Sequence, residues 1–385
     1  MTNVILDGLK ILFSTFAIIL LAISTVPYVI LLLCWSVIST PLPATWFHTV
    51  EDGLWGWYQR MVVFFFEHYA GVEIHIDGTI PSTKENVLVL SNHQCMVDWI
   101  VADFLAVRQN MTGNMRFVFK NSLKYYPIYG FSFGIHGGVF VRRDGFYNNH
   151  NMQRVLDTLK QRKADLYFLL YPEGTRFTPH KKSLLDKSQS FAVKSGLEPL
   201  NQVLTPRVKA FDCTLNSLQT YIHAIYDITI VYDTRKEEYD GYRPQSPHAL
   251  QFLFGRCKKV YIKFERIPIK DVLSQISACG DDVADDQASA PMKWLHNRFA
   301  IKDKLLEEFF SKSGRSISNS GSEGNSNQAK RWRRSRLPYS ATLPSTISFI
   351  LIHAVILYFP FGRYIYIATS TIGVLLMSVY AHFCF

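Results

Sequence analysis

The chain has 385 residues, 41 Lys and Arg against 31 Asp and Glu, a net charge of +10 and a pI near 9.2. Close to half of it is hydrophobic and 19% is charged, which excludes wholesale disorder, and six cysteines in this length exclude a disulfide scaffold. The basic balance points to nucleic acid or to an anionic membrane surface, and the placement of the apolar residues decides for the membrane.

Residues 11–37 carry no charge and exceed the roughly 20 apolar residues that cross a bilayer. The segment before them is weakly basic, with Asp7 beside Lys10, and no small-x-small cleavage pattern follows. A retained anchor is expected, either one tilted span or a bent pair around Pro27. Residues 61–69, MVVFFFEHY, follow Trp55, Trp57 and Tyr58, which favours a helix lying in one leaflet over a core helix. At the other end, residues 346–358 and 364–381 are apolar and are split by 359–363, which contain Pro360; a membrane hairpin is expected, with a single longer span plus an interfacial piece as the alternative. The run Lys330-Arg331-Trp332-Arg333-Arg334-Ser335-Arg336 just upstream suits anionic lipid better than nuclear targeting.

Between the anchors, strand-like runs occupy 72–76, 86–91, 116–120, 138–143, 166–172, 228–233 and 260–267. Helical stretches at 98–108, 152–162 and 188–194 separate several of them. The alternation predicts an α/β domain over 71–310, with a mainly parallel sheet and flanking helices. Uninterrupted apolar runs such as LYFLL predict strands covered on both faces. Residues 270–291 read as a loop and 292–310 as a helix. The anchor with its interfacial helix takes 1–70, a flexible basic linker 311–337, and the hairpin 338–385. Beyond such a linker the hairpin is expected to tether the domain without aiming its site.

The most informative stretch is NVLVLSNHQCMVDW, residues 86–99. A buried strand ends at Ser91, and Asn92, His93 and Asp98 follow. Ser91 or Asn92 is a candidate cap for the next helix. Five residues of helix turn through about 500°, so His93 and Asp98 meet only if His93 lies in the turn before the helix. Asp98 then orients one ring nitrogen and leaves the other free as a base. Alone, this spacing is a common chance match. Cys95 reads as a core-facing residue and not as a nucleophile.

A second element is Tyr171-Pro172-Glu173-Gly174-Thr175-Arg176, at the end of LYFLL. Gly174 permits a sharp turn, Thr175 offers a hydroxyl, and Arg176 a fork suited to phosphate. A third is GGVFVRR, residues 137–143. Neighbouring strand residues face opposite ways, so one arginine at most points to a site, and Arg142 is read as surface charge. Lys120 adds a cation after RFVF. The ordinary reading of each is a strand-end turn with a charged surface residue. Together they place an oriented histidine and several cations at strand ends on a membrane-anchored domain, which suits a phosphate-bearing amphiphile. With no Ser or Cys nucleophile evident, the base would act on a hydroxyl of the substrate.

In this order, Asn92-His93-x4-Asp98, GGVFVRR, Pro172-Glu173-Gly174-Thr175-Arg176 and Val203-Leu204-Thr205-Pro206 resemble the motif set of the glycerophospholipid acyltransferases. The wider context, including YQRMVVFFFEHYAGVEI, VDWIVADFLAVRQN and KWLHNRFAIKDKLLEEFF, is similar to the 1-acylglycerol-3-phosphate acyltransferase branch over nearly the whole chain. The resemblance implies a glycerol-3-phosphate acyltransferase-like α/β fold. It implies acyl-CoA as co-substrate with no cofactor and no metal, lysophosphatidic acid or a related lysophospholipid as acceptor, the lipid bilayer as a partner, and no nucleic acid. It implies His93 as the base and Asp98 as its orienting partner. Asn92, Lys120, Arg143, Glu173, Gly174, Thr175 and Arg176 would shape the acceptor site, and Pro206 the acyl-donor side. Arg142 and Asn121 depart from the family pattern, which carries acidic residues there. A multi-pass protein of the endoplasmic reticulum is expected, with the mitochondrial outer membrane or nuclear envelope as alternatives. The competing readings are remodelling of another lysophospholipid such as lysocardiolipin, thioester hydrolysis, and a non-enzymatic scaffold for anionic lipid.

Overall fold

The computed structural model describes residues 2–126, 128–142, 149–234, 243–255, 257–280, 288–311, 332–373, 375–376 and 379. Eight strands are β1 (Glu73–Asp77), β2 (Val87–Ser91), β3 (Met115–Lys120), β4 (Val139–Val141), β5 (Tyr167–Leu170), β6 (Ala224–Tyr232), β7 (Lys259–Pro268) and β8 (Arg333–Ser335). The helices are α1 (Thr2–Ile23), α2 (Thr25–Ile38), α3 (Ala44–Val63), α4 (Asp98–Arg108), α5 (Tyr129–Ile135), α6 (Asn149–Gln161) and α7 (Lys182–Lys194). They continue with α8 (Val208–Leu218), α9 (Ala249–Leu253), α10 (Ile269–Ala278), α11 (Ala290–Phe310), α12 (Leu343–Tyr358) and α13 (Pro360–Ala368).

The strands form one sheet in the order β4-β3-β5-β2-β6-β7-β1-β8. From β4 to β6 every pairing is parallel; β7 turns antiparallel to β6, β1 runs with β7, and β8 runs against β1. The expected α/β fold with flanking helices is therefore present. Its carboxyl strand ends gather at one end across β4, β3, β5, β2 and β6. Alternate side chains feed two cores. Val87, Val89, Tyr167, Leu169, Tyr226 and Ile230 face α3 and α4, while Leu88, Leu90, Phe168, Leu170 and Val231 face α6, α8 and α11. Coverage on both faces is what the uninterrupted apolar strands required.

Several expectations change. The stretch around residues 61–69 is core: Met61, Phe65 and Phe66 are buried, and the chain continues α3 as a π-helical turn, Phe64–Tyr69, instead of lying on a membrane face. Part of 270–291 is helical, because Val272 of α10 inserts beneath α11.

The end of the supposed basic linker is strand β8. It pairs Ile74 with Ser335 and Ile76 with Arg333 at the sheet edge. Arg108 donates to the Ser335 carbonyl at 3.0 Å, Glu67 accepts the Leu337 N–H at 2.7 Å, and Arg60 donates to the Ala341 carbonyl at 2.9 Å. Phe349 of α12 is buried against Tyr58. The C-terminal segment is thus built into the domain, because its backbone completes a sheet and its side chains complete a core. Residues 312–331 lie outside the described residues.

Across α1 and α2, Ser14–Ile38 is an apolar helical stretch long enough to cross a membrane, and nearly half of its most apolar part is buried within the protein. At the C-terminal side, Leu343–Tyr358 and Pro360–Thr371 meet at a 107° bend, so the pair passes as one broken span or a re-entrant loop. Pro360 opens the second helix without needing an N–H donor there.

Candidate active site

β2 delivers the chain into a turn, and α4 begins only at Asp98. His93 therefore sits before the helix, as the spacing demanded, and neither Ser91 nor Asn92 caps it. His93 Nδ1 lies 2.8 Å from Asp98 Oδ2. The same oxygen accepts the backbone N–H groups of Gln94 at 2.7 Å and Cys95 at 3.0 Å. A carboxylate ringed by donors is an acceptor, so Nδ1 carries the proton and Nε2 holds the lone pair. Asp98 is buried at 1% exposure, whereas the His93 side chain keeps 20%. Among the described residues no group bonds Nε2. Tyr171 stacks on the imidazole at 4.5 Å between centroids and fixes the ring plane.

Glu173 ties the motifs together. One carboxyl oxygen accepts the His93 N–H at 2.6 Å and the other the Leu204 N–H at 2.9 Å. Burial pushes this carboxyl up to about 8, and the two backbone donors and the Arg243 guanidinium pull the other way. The His93 carbonyl accepts from Phe177 N–H at 2.7 Å, and the Pro172 carbonyl from Arg207 N–H at 2.8 Å. Through these bonds the turn after β2, the turn after β5 and the segment 203–207 hold one another, with Thr205 and Pro206 buried between them. Gly174 has φ +67, and a Cβ there would meet no atom, so its backbone conformation alone calls for glycine.

The remaining expected residues divide. Asn92 is buried, and its amide bridges both backbone groups of Ile230, donating to the carbonyl at 3.0 Å and accepting from the N–H at 2.8 Å. It fastens β2 to β6. Thr175 is half-buried and Arg176 exposed beside the turn, and among the described residues no partner holds the Arg176 guanidinium. Lys120 is exposed at the end of β3, two strands from β2, or about 10 Å at ordinary strand spacing. Arg143 lies outside the described residues, and Arg142 is exposed. Cys95 is buried, its thiol donates to the Pro247 carbonyl, and burial pushes it up to about 12, so it is no nucleophile.

Three groups escaped the sequence reading. Tyr232, at the end of β6, donates to Asp98 Oδ1 at 2.6 Å. Gln94 anchors its amide on the Ile230 carbonyl at 2.7 Å. Arg243 is buried on the Phe177 ring and donates to the side chain of Gln94 and the carbonyl of Gln202. Gln94 stands next to His93 without a pattern to mark it, and nothing local signals Tyr232 and Arg243, which arrive from more than a hundred residues downstream. That β6 borders β2 is a fact of topology.

A separate cluster, Glu51, Asp52 and His136, has the donor types of a cation site. Its chemistry does not fit one. The Arg116 guanidinium lies 2.8 Å from His136 Nε2 and pairs with Asp52, and because arginine only donates, Nε2 must accept. His136 Nδ1 then donates to Glu51 at 2.8 Å, leaving no lone pair for a metal. Burial holds this imidazole well below its usual range and pushes Glu51 up to about 7.

Residues 71–231 match the family model described as Acyltransferase. Over 358 residues the chain is 38% identical to mouse 1-acyl-sn-glycerol-3-phosphate acyltransferase epsilon, covering 93% of both proteins. It is 30% identical to a probable 1-acyl-sn-glycerol-3-phosphate acyltransferase 5 of Arabidopsis thaliana over 64% of this chain and 60% of that one. It is 29% identical to the human delta-type enzyme over 59% and 54%. Fold, site and likeness together define an acyltransferase. More narrowly, the chain belongs to the 1-acyl-sn-glycerol-3-phosphate acyltransferase family.

Proposed function

We propose that the chain is an integral membrane enzyme that transfers an acyl group from acyl-CoA to the sn-2 hydroxyl of 1-acyl-sn-glycerol 3-phosphate, giving phosphatidic acid. The observation behind this reading is the 2.8 Å contact between His93 Nδ1 and buried Asp98, which turns Nε2 toward solvent as a base. Nε2 takes the hydroxyl proton as the oxygen attacks the thioester carbonyl. The C–O bond forms, the C–S bond breaks, and the imidazolium returns its proton to the departing thiolate, so His93 ends neutral. Asp98 stays ionised and stabilises the imidazolium between these steps. Arg176, Arg143 and Lys120 are the cations assigned to the acceptor phosphate. Gly174 and Thr175 shape the turn beside it, Glu173 holds the turn to His93, and Pro206 sits toward the acyl donor.

The bilayer is assigned as substrate reservoir because each methylene of an acyl chain favours lipid by about 0.8 kcal/mol. Ser14–Ile38 and the bent C-terminal pair are the membrane segments. Leu12, Phe16, Leu351, Val355 and Tyr358 each turn more than half of their surface outward.

The test is an acylation assay on membranes holding the full chain, with labelled acyl-CoA and a panel of lysophospholipid acceptors. Lysophosphatidate is expected to be used best, and His93→Ala to lower turnover about 10²- to 10⁴-fold. A preference for lysocardiolipin would replace the acceptor. Release of free fatty acid would replace the reaction, and near-normal turnover of His93→Ala would remove the base.

A further inference from the structure

The Asp98 carboxylate has two oxygens, and the His93 turn engages only one. Oδ2 faces His93 Nδ1 and the N–H groups of Gln94 and Cys95. Oδ1 faces the Tyr232 hydroxyl at 2.6 Å, the shortest of the four contacts. Tyr232 is the last residue of β6, and the parallel pairing with β2 brings its ring to the carboxyl end where His93 emerges. Its ring is buried and wedged edge-on against Phe252, with centroids 5.5 Å apart. Burial and the neighbouring Asp98 charge hold the phenol well above its usual range, so it remains a donor wherever the enzyme works.

We propose that Tyr232 is a positioning residue for acyl transfer: by holding Asp98 Oδ1 it fixes the carboxylate plane and sets how strongly that carboxylate draws on the His93 imidazole. The proposal rests on the reading of His93 as general base. Each donor on a carboxylate takes a share of its charge. Remove the shortest, and the remaining charge pulls harder on Nδ1–H, which favours the imidazolium. His93 then becomes a base only at higher pH. The other groups facing the pair do not supply this control. Tyr171 stacks on the ring as a neutral phenol, the Cys95 thiol is engaged by Pro247, and Arg243, whose charge also acts on Asp98, bonds to Gln94 and not to the pair and is common to wild type and variant. Glu173 binds the His93 backbone and is present unchanged in every variant, so it cannot make the limb differ between wild type and Tyr232→Phe.

The experiment is the pH profile of kcat/KM for lysophosphatidate in membranes holding full-length wild type, Tyr232→Phe, Asp98→Asn and the double variant. Tyr232→Phe keeps the ring in place and is expected to move the acidic limb upward by about one pH unit. Below the limb its rate should fall about tenfold, recover as pH rises, and leave KM for either substrate unchanged. In the Asp98→Asn background the same change should add nothing, because both act through one carboxyl. The limb's position does not depend on the amount of folded enzyme, so partial misfolding leaves the reading intact. An unmoved limb, or losses that multiply in the double variant, would overturn the role of Tyr232 while His93→Ala stays inactive. An active His93→Ala would instead sink the base itself.

Discussion

Replacing Glu173 probes the joint between three segments. Its two carboxyl oxygens satisfy the N–H groups of His93 and Leu204 at 2.6 and 2.9 Å. Glu173→Ala strands both donors in a site where Glu173 itself is 4% exposed. A buried donor left unpaired costs about 1–3 kcal/mol, so the pair predicts about 2–6 kcal/mol. That is a large part of the roughly 5–15 kcal/mol by which a domain is ordinarily stable. Glu173→Gln keeps one acceptor and turns an NH₂ toward the second donor, so about half of the loss is expected. The His93 backbone is the part released, so kcat should fall more than KM for either substrate rises. Thermal unfolding in detergent and initial rates at saturating acyl-CoA measure the two effects. An alanine variant with wild-type melting and turnover would show that the three segments hold together without this residue.

Three further outcomes are expected. Glu51 is raised from 4.5 to about 7 on folding, so its stability is fully present below pH 4.5 and lost as pH rises through 7, up to about 3 kcal/mol. Glu51→Gln should flatten the decline between pH 5 and 8.5, read as the difference in melting against wild type; an unchanged decline would acquit Glu51. Ending the chain after Arg331 removes β8 and the buried Leu337 and Phe349, each contributing about 1.5–3 kcal/mol, and should yield an unfolded or inactive protein rather than a merely untethered one. A truncated chain with full specific activity contradicts this. Arg176→Ala should raise KM for lysophosphatidate more than for acyl-CoA, and Arg176→Lys should not restore it, since a point charge lacks the guanidinium fork; a change confined to acyl-CoA refutes it.

What the sequence disclosed was what is local. Seven strands were marked by their β-rich runs, most plainly β2, β5 and β6, which are buried on both faces throughout. The His93–Asp98 pairing was legible because helix geometry allows one solution for that spacing. The polar residues behind the pair were not, since Tyr232 and Arg243 reach it only after β6 has been placed beside β2. Residues 333–335 misled for a related reason. Arg-Arg-Ser reads as a solvated linker, and an edge strand with one face in water carries just such residues. The aromatic stretch around residues 61–69 misled because lipid and a protein core select the same side chains.

The placement of β8 has a consequence for the order in which the chain is made. β1 is translated among the first strands, yet its free edge is covered only when residues 333–335 arrive, some 250 residues later. Until then the nascent domain presents an unpaired strand, with Glu67 and Arg108 awaiting Ser335 and Leu337. An open edge is a template for pairing with other chains. β8 thus closes the sheet late, and a ribosome stalled between β7 and β8 leaves a domain with the His93 turn already made and its edge exposed. Premature termination late in the message is therefore expected to give aggregation or degradation in preference to a soluble, partly active fragment.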